Sequence, residues 1–373
     1  MIDYGEAASL LFESTLMLTM SNTVVVTGGA GFIGSNFILQ YLMVESAAIV
    51  NVDKLTYAGS LINLAPLQGN SRYRFLCGDI CDRELIKQVF SEHLPTAVVH
   101  FAAESHVDRS IRGPEQFIRT NVQGTFTLLE EAREYLSRLD PQQRDRLRFL
   151  HVSTDEVYGS LGEGDSPFTE DSPYAPNSPY AASKASADHL ARAYFHTYGL
   201  PVVPSNCSNN YGPFQFPEKL IPLVINNALR GDALPVYGDG RNIRAWIFVE
   251  DHCNALRSIL MAGVPGETYN VGGRSERRNM DVVRAVCAAL DEFHSDSKFV
   301  PHENLIRFVK DRPGHDYRYA IDPSKIEREL GWKSNETFET GIRKTVAWYL
   351  SNGGWIEHIT SGAYRGWIRE QYG

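Results

Sequence analysis

A glycine-rich turn near the start of the chain constrains the fold more than any other feature. Thr27–Gly34 has the sequence Thr-Gly-Gly-Ala-Gly-Phe-Ile-Gly and follows the apolar run Val24–Val26. Glycines at three of these positions, Gly28, Gly31 and Gly34, permit a tight turn whose backbone N–H groups approach a pyrophosphate at the N-terminus of the next helix. The turn therefore predicts the first strand, loop and helix of a dinucleotide-binding fold.

Short apolar runs alternate with longer amphipathic stretches in the first half of the chain. The runs predict buried parallel strands at residues 24–26, 48–52, 73–77, 97–101, 147–152 and 201–204. The stretches between them predict helices at residues 32–43, 83–93, 114–137 and 178–198. This alternation predicts an α/β protein with a doubly wound parallel sheet, the Rossmann fold.

An acidic residue at the end of the second predicted strand indicates which dinucleotide binds. Asp53 lies nineteen residues beyond Gly34, where a carboxylate accepts hydrogen bonds from the adenosine ribose and repels a 2′-phosphate. The neighbouring Lys54 could hold such a phosphate, which weakens the preference slightly. Residues 79–80 and 101–103, after the third and fourth strands, are small or polar and lie where the cofactor would pass. We therefore expect NAD rather than NADP.

The composition changes after Asn206, where Pro- and Gly-rich segments separate shorter elements. This change predicts a second, smaller α/β substrate lobe laid against the strand ends. We expect three parts: an N-terminal extension over residues 1–21, poorly ordered or a short helix; an NAD-binding Rossmann domain over 22–206, to which 242–262 return; and mainly the substrate lobe over 207–373.

Charge and composition argue against several classes of protein. A net charge of −9 and a pI near 5.7 disfavour nucleic acid as a partner, and no apolar run approaches the roughly 18 residues of a membrane span. Five cysteines without a Cys-x-x-Cys pair predict buried thiols in a reducing cytoplasm and no metal site. No Lys or Arg precedes Lys54, so the start of the chain lacks the positive charge of a targeting peptide.

A tyrosine and a lysine four residues apart are candidates for redox chemistry. Ser178 can cap a helix and Pro179 can occupy its first position, which places Tyr180 and Lys184 on one helical face. A neighbouring ammonium favours a phenolate, so we expect it to lower the pKa of Tyr180 from its ordinary value of about 10. Tyr180 can then accept the proton of a sugar hydroxyl as hydride leaves the carbon that carries this hydroxyl. Lys184 can donate a hydrogen bond to the nicotinamide ribose.

Two adjacent carboxyl groups follow the fifth predicted strand, in the sequence Thr154-Asp155-Glu156. Neighbouring carboxyls in a dry site push their pKa values apart, so one can stay neutral as an acid while the other ionises as a base. Successive strand residues face opposite ways. Both acids can therefore reach one substrate only if the strand ends near Ser153 and the chain turns.

With these residues in place, the sequence resembles the extended short-chain dehydrogenase/reductase family and, more closely, its dTDP-glucose 4,6-dehydratases. The resemblance extends from about residue 23 to about residue 372. Its most specific stretches are residues 27–34, 53–59, 102–111, 153–159, 180–189, 206–222 and 311–315. It implies bound NAD, conversion of dTDP-glucose to dTDP-4-keto-6-deoxyglucose in deoxysugar biosynthesis, and a homodimer formed through the helices at 114–136 and 178–198.

The resemblance also implies a role for each reacting group. Tyr180 takes the C4 hydroxyl proton while NAD takes the C4 hydride, and Thr154 hydrogen-bonds the C4 oxygen. Glu156, ionised, then removes the C5 proton. Asp155, protonated, donates to the C6 hydroxyl so that water leaves, and the hydride returns to C6.

The resemblance implies contacts for both ligands. The expected cofactor contacts are Gly28, Gly31, Phe32, Ile33, Gly34, Asp53, Lys54, Leu55, Thr56, Asp79, Ile80, Phe101, Ala102, Ala103, Ser105, Thr120, Ser153, Tyr180, Lys184 and Asn210. The expected nucleotide-sugar contacts are Ser105, Thr154, Asn209, Lys219, Leu220, Pro235, Tyr237, Arg244, Asn279, Arg312 and His315. The family usually has an Asp where Ala245 follows Arg244, so one carboxylate that could orient this arginine is missing.

Three other functions fit parts of the same pattern. A UDP-hexose 4-epimerase uses the same turn, tyrosine and lysine, but it does not need Asp155 beside Glu156. A GDP-mannose 4,6-dehydratase commonly lacks the Asp and prefers NADP, which Asp53 disfavours. A non-catalytic NAD-sensing or scaffold protein tends to lose Tyr180 or Lys184, and both are present.

Overall fold

The structure, a computed structural model, describes residues 22–360 of the chain. The predicted N-terminal extension, residues 1–21, and the last part of the predicted substrate lobe, residues 361–373, lie outside the described residues. None of the helices in 22–360 combines the length and the apolar character that a membrane crossing requires.

The described residues alternate between strands and helices along the chain. The strands are β1 Thr23–Thr27, β2 Ala48–Asp53, β3 Tyr73–Cys77, β4 Ala97–His100, β5 Arg148–Thr154, β6 Val202–Cys207, β7 Asn209–Tyr211, β8 Leu234–Tyr237, β9 Ile243–Phe248, β10 Tyr269–Val271, β11 Glu276–Arg278 and β12 Ile306–Val309. The α-helices are α1 Phe32–Val44, α2 Arg83–His93, α3 Val107–Arg112, α4 Glu115–Phe117, α5 Thr125–Arg138, α6 Pro141–Arg146, α7 Pro179–Tyr198, α8 Leu220–Arg230, α9 Val249–Ala262, α10 Asn279–Phe293, α11 Ser324–Leu330, α12 Phe338–Ser351 and α13 Gly353–Ile359.

Seven strands form one parallel sheet in the order β3-β2-β1-β4-β5-β6-β10. The direction of winding reverses between β1 and β4, and ligands of open α/β sheets bind beside such a reversal, at the carboxyl ends of the strands. The glycine-rich turn follows β1 at this point. The sheet confirms the predicted Rossmann fold.

Both faces of this sheet are buried because alternate residues of each strand face opposite layers. In β1, Val24 and Val26 pack in the core that contains residues of α1 and α9, whereas Val25 packs in the core that contains residues of α2, α5 and α7. The helices on the two faces fix the strand ends, and the strand ends position the site.

The second lobe has its own sheets and core. β7, β9 and β11 form a three-stranded sheet, β8 pairs in parallel with β12, and residues of α8, α10 and α12 complete the core around them. The segment 242–262, which we expected to return to the Rossmann domain, divides between the lobes. Its strand β9 pairs with β7 and β11, whereas its helix α9 packs against α1. The returning strand is β10, which pairs with β6 and, at three residues, is too short to recognise from periodicity.

The helix predicted over 114–137 contains a turn of different geometry. α4 leads into a π-helical segment, Ile118–Gly124, which continues into α5. Within this segment the buried Asn121 accepts a hydrogen bond from the Glu104 backbone N–H and donates to the Glu104 carbonyl and to Ser183 Oγ. A π-helical turn often marks a functional site, and this one ties the segment after β4 to α7.

The prediction that every cysteine is buried was wrong. Cys207, Cys253 and Cys287 are buried, but Cys77 is exposed and Cys81 is partly exposed. Cys77 is the last residue of β3, which forms the edge of the seven-stranded sheet, so one side of this strand is not covered by a neighbour. All five thiols are unpaired.

Candidate active site

A cleft at the carboxyl ends of β1, β2, β4, β5 and β6 contains all five predicted catalytic residues, which are Thr154, Asp155, Glu156, Tyr180 and Lys184. Among the other predicted cofactor contacts, those lining it are Gly28, Gly31, Phe32, Ile33, Gly34, Asp53, Lys54, Thr56, Ile80, Phe101, Ala102, Ala103, Ser105, Thr120, Ser153 and Asn210. The cleft thus joins the glycine-rich turn to the predicted reacting groups.

Two glycines of the glycine-rich turn, Gly28 and Gly34, are packed too closely to be replaced by residues with a side chain. Gly28 has φ +73°, and a Cβ there would lie 2.6 Å from the Ala102 backbone nitrogen. A Cβ on Gly34 would lie 2.4 Å from the Gly28 carbonyl oxygen. α1 begins within this turn, at Phe32, and has no acidic residue in its own first turn, so its N-terminus offers partial positive charge to the cleft. The arrangement suits a pyrophosphate.

Asp53 is buried at the end of β2 and stabilises the same turn. Its carboxylate accepts hydrogen bonds from the backbone N–H of Ala30 at 2.9 Å and of Leu55 at 2.8 Å. The charge of the neighbouring Lys54 is already paired, because its Nζ lies 3.7 Å from Asp79 Oδ2 and donates to Thr120 Oγ1 at 3.2 Å. The local charges therefore favour a ribose hydroxyl over a 2′-phosphate.

Tyr180 and Lys184 lie on the first turns of α7. Ser178 caps this helix by accepting from the Ala181 N–H at 3.0 Å, and Pro179 is its first residue. Lys184 Nζ donates to the Val152 carbonyl at 2.8 Å. The expected lowering of the pKa of Tyr180 is not found: burial and then the charge of Glu156 raise it well above its ordinary value, although a hydrogen-bonding interaction with Thr154 opposes this.

The two acids converge because β5 ends close to Ser153, as we expected. β5 stops at Thr154, and Asp155–Tyr158 form one turn of 3-10 helix. Thr154 Oγ1 accepts from the Glu156 N–H at 3.3 Å and so caps this turn. Asp155 and Glu156 therefore both line the cleft, and both interact electrostatically with the Tyr180 phenol.

Burial and neighbouring charges give the two acids different proton affinities. Burial and then the Glu156 carboxylate raise the pKa of Asp155 well above its ordinary value, and its Oδ2 has no hydrogen-bond partner among the described residues. Burial also raises the pKa of Glu156, but Arg312, Arg244 and Lys219 oppose this. Glu156 is partly reached by solvent through the cleft, whereas Asp155 is 1% exposed. Asp155 is thus the better proton donor and Glu156 the better carboxylate.

Arg244 is buried and oriented without a carboxylate at position 245. Its guanidinium donates to the carbonyls of Ile243 at 2.7 Å and Asp316 at 3.0 Å, and it lies 4.2 Å from the centre of the Tyr319 ring. Ala245 is itself buried in β9. The absent Asp is therefore not needed to hold this arginine.

Nine predicted contacts do not line the cleft as it stands in residues 22–360. They are Leu55, Asp79, Leu220, Pro235, Tyr237, Arg244, Asn279, Arg312 and His315. Several are held by groups at its border: Arg312 Nη1 lies 3.3 Å from Asp108 Oδ1, Tyr237 Oη donates to Asp108 Oδ2 at 3.2 Å, and His315 Nδ1 lies 2.6 Å from Asp311 Oδ1. Of the nucleotide-sugar contacts, Ser105, Thr154, Asn209 and Lys219 do line the cleft.

Two carboxylates that we did not predict also line the cleft. Burial raises the pKa of both Glu104 and Glu218. Glu218 accepts hydrogen bonds from Tyr57 Oη at 3.0 Å and from Arg109 Nε at 3.2 Å, so it joins the loop after β2 and helix α3 to the loop before α8. Its position just before Lys219 was the one available signal, and a single acid in a loop does not distinguish such a residue from a surface charge.

Comparison with known proteins places this site in a family. Residues 25–345 match the family model described as GDP-mannose 4,6 dehydratase. The chain is 59% identical to the dTDP-glucose 4,6-dehydratase of Xanthomonas campestris pv. campestris strain B100, over 92% of this chain and 97% of that protein. It is 55% identical to dTDP-glucose 4,6-dehydratase 1 of Escherichia coli K12, over 94% of this chain and 98% of that protein.

Solved structures agree with this assignment. The dTDP-glucose 4,6-dehydratase of Bacillus anthracis, crystallised in complex with NAD, has a TM-score of 0.79 and 45% identity over 91% of this chain and all of that one. The UDP-glucose 4-epimerase of Thermus thermophilus, also in complex with NAD, has a TM-score of 0.77 but 29% identity over 88% of this chain and 99% of that one. The fold is common to both enzymes, whereas the sequence is closer to the dehydratases. The chain therefore belongs to the family of the dTDP-glucose 4,6-dehydratases.

Proposed function

We propose that this protein is an NAD-dependent hydro-lyase that converts dTDP-glucose to dTDP-4-keto-6-deoxyglucose. The observation that carries the proposal is the convergence of Tyr180, Asp155 and Glu156 in one cleft with the glycine-rich turn. An epimerase needs the tyrosine but not two acids with different proton affinities, so this convergence favours dehydration over epimerisation.

The residues of the cleft fit NAD. The glycine-rich turn and the N-terminus of α1 suit the pyrophosphate, Asp53 suits the adenosine ribose, and Lys184 keeps donor capacity for the other ribose because an ammonium has three N–H groups. When bound, oxidised NAD accepts the C4 hydride and returns it to C6, and its positively charged nicotinamide favours the phenolate form of Tyr180. Relatives crystallised in complex with NAD support this assignment.

The chain's own groups then divide the proton transfers. Tyr180 accepts the proton of the C4 hydroxyl, and Thr154, which lines the same cleft, donates a hydrogen bond to the same oxygen. The ketone formed at C4 acidifies the C5 proton, which Glu156 removes as a carboxylate. Asp155, kept protonated by burial and by its neighbour, donates to the C6 hydroxyl so that water rather than hydroxide leaves. Glu156 gives its proton back to C5 as hydride reaches C6, and the proton left on Tyr180 replaces the one that Asp155 has lost.

The cations around Glu156 suit the diphosphate of the nucleotide sugar. Lys219 lines the cleft and donates to the Ser105 carbonyl at 2.9 Å, while Arg244 and Arg312 lie close enough to lower the pKa of Glu156. An arginine fork pairs with phosphate oxygens. These groups provide local positive charge in a protein that is acidic overall.

Parallel incubations with dTDP-glucose and UDP-glucose test the proposal. We expect a 4-keto product, detected by its absorbance in alkali, from dTDP-glucose, and NAD in the supernatant after acid denaturation of the purified protein. An epimerised sugar, or no reaction with dTDP-glucose when NAD is added, would contradict it.

We also propose a homodimer formed through the helices at 114–136 and 178–198. Apolar side chains on and beside these helices are exposed: Ile118 by 53%, Phe126 by 45% and Tyr198 by 51%. Burying them against a second copy removes this area from water. Sedimentation should give a dimer for the wild type and a monomer for Phe126→Glu, whereas Met261→Glu, at an exposed site on α9, should remain dimeric. A monomeric wild type would contradict this.

A reducing compartment such as the cytoplasm is proposed on the state of the cysteines. All five thiols are unpaired, and Cys77 is exposed. Structural disulfides are rare in such compartments. Thiol titration of protein purified without reductant should give five free thiols, and a disulfide would count against the assignment.

A further inference from the structure

A buried aspartate lies one helical turn beyond Lys184. Asp188 is 3% exposed and follows Tyr180 and Lys184 at the four-residue spacing that places all three on one face of α7. Its Oδ2 accepts from Ser153 Oγ at 2.7 Å, and its Oδ1 accepts from His151 Nε2 at 2.9 Å. Both oxygens thus face donors, as an ionised carboxylate requires. None of these bonds is used by the proposed reaction.

We propose that Asp188 is a positioning residue that keeps Lys184 in its ammonium form and fixes Ser153 at the wall of the cleft. The inference rests on the proposed function, because it assigns Lys184 a role in holding the cofactor. Asp188 itself does not line the cleft, so it acts through the two residues that do.

The need for such a residue follows from the burial of Lys184. Its side chain is 5% exposed, and its hydrogen bond among the described residues is to a neutral group, the Val152 carbonyl. An ammonium in such surroundings loses the solvation that stabilises its charge. Burial accordingly lowers the pKa of Lys184, and the Asp188 carboxylate opposes this more than any other group does.

The other titratable groups around Lys184 carry no countercharge of comparable effect. Cys207 on β6, His151 on β5 and His100 on β4 interact with it electrostatically, and Tyr180 lies one turn before it on α7. Burial raises the pKa of the Cys207 thiol to about 12 and that of the Tyr180 phenol well above its ordinary value, so both are protonated and neutral. Burial lowers the pKa of both histidines, so they are neutral too. Asp188 is therefore the carboxylate that balances Lys184.

Replacement of Asp188 by Asn preserves the size of the side chain and removes its charge. The folded-state pKa of Lys184 should then fall further, so the alkaline limb of the pH–rate profile for dTDP-glucose should move to lower pH by about one unit. Asp251→Asn is the matched control: Asp251 is equally buried, on α9, and accepts hydrogen bonds from Ser334, Asn335 and Glu336. It should lower the melting temperature without moving the alkaline limb.

A second readout does not depend on turnover. The rate of acetylation of Lys184 by acetic anhydride, followed by peptide mass spectrometry across pH, reports when its amine becomes neutral. We expect the midpoint for Asp188→Asn to lie about one pH unit below that of the wild type, and Asp188→Glu to restore it. Asp188→Ser provides a second uncharged variant if Asp188→Asn does not fold.

The two measurements separate failure of the inference from failure of the proposed function. Unchanged midpoints in the uncharged variants would overturn the role of Asp188, whether or not the enzyme turns over. A wild type that gives no product from dTDP-glucose, but shows the shifted midpoint in the variants, would refute the proposed function and leave the electrostatic role standing.

Discussion

The cofactor side and the substrate side of the cleft are built in different ways. On the cofactor side, Gly28, Asp53 and Ser153 each lie within one residue of the carboxyl end of a strand in the seven-stranded sheet. On the substrate side, Arg244 and Arg312 come from the second lobe and are held by backbone carbonyls or by Asp108, at the border of the cleft. The first group is placed by local chain geometry, whereas the second depends on how two lobes pack.

This difference predicts two classes of variant. Changes on the cofactor side, where the reacting groups also lie, should affect cofactor content or the chemical steps. Changes on the substrate side should affect the KM for the nucleotide sugar, because their groups touch neither the glycine-rich turn nor Tyr180.

The largest effect is expected for Glu156→Gln, which keeps the size of the side chain but removes the base. Formation of the 4-keto-6-deoxy product should fall by about 10³-fold, because a positioned base contributes roughly that much. Oxidation at C4 should persist, visible as reduced-nicotinamide absorbance without product. Glu250→Gln, at an exposed site on α9, should behave as the wild type. An unchanged product rate in Glu156→Gln would remove Glu156 from this role.

Gly34→Ala should reduce cofactor content. The added Cβ would lie 2.4 Å from the Gly28 carbonyl oxygen, so the turn must open. Overpacking of this kind costs about 1–3 kcal/mol, and we expect a lower free energy of unfolding together with less NAD after acid release. Gly164→Ala is the control, since a Cβ there meets nothing within 4 Å. Full NAD content with a raised KM for dTDP-glucose would show that Gly34 acts on substrate binding and not on cofactor binding.

Arg312→Ala should raise the KM for dTDP-glucose by roughly 10-fold to 100-fold, the equivalent of one lost charge-assisted hydrogen bond. NAD content should stay near wild type, whereas kcat should fall by less than in Glu156→Gln, because loss of Arg312 also raises the pKa of the Glu156 carboxyl. Arg241→Ala is the control and should have no effect. Arg241 is exposed, and within residues 22–360 its salt bridge is to Asp239. Loss of NAD from Arg312→Ala would break the comparison between the two sides.

The smallest effect expected is a gain in stability for Asp155→Asn. The folded state raises the pKa of Asp155, so it binds this proton more tightly than the unfolded chain does. Stability from this group is present below its unfolded pKa of about 4 and is lost as pH rises towards the folded value. The variant should therefore melt at a higher temperature than the wild type at neutral pH and at a similar temperature in acid. Equal melting temperatures at neutral pH would show that folding does not raise the pKa of Asp155.

The sequence predicted local features better than long-range ones. The glycine-rich turn, the cap of α7 at Ser178 and the end of β5 at Thr154 depend on neighbouring residues, and each lies where we expected it. The placement of β9 in the second sheet and the return of β10 to the first depend on packing between distant segments, which periodicity does not encode.

The pKa values of the site residues were also hard to predict from sequence. We expected Lys184 to lower the pKa of Tyr180, but burial and the charge of Glu156 raise it. The four-residue spacing gives the proximity of the two side chains, whereas the balance of burial and charge comes from β5, β6 and the turn after β5. Glu218 and Asp188 were missed for the same reason, since their partners lie 161 and 37 residues away in sequence.

Exchange of the C5 hydrogen with solvent distinguishes the two acids directly, if Glu156 is the base and Asp155 the acid. Each variant is incubated with dTDP-glucose in deuterated water, and the recovered sugar is examined by mass spectrometry. We expect deuterium at C5 with Asp155→Asn, which can still remove the proton but cannot release water, and none with Glu156→Gln. Exchange in Glu156→Gln but not in Asp155→Asn would contradict it.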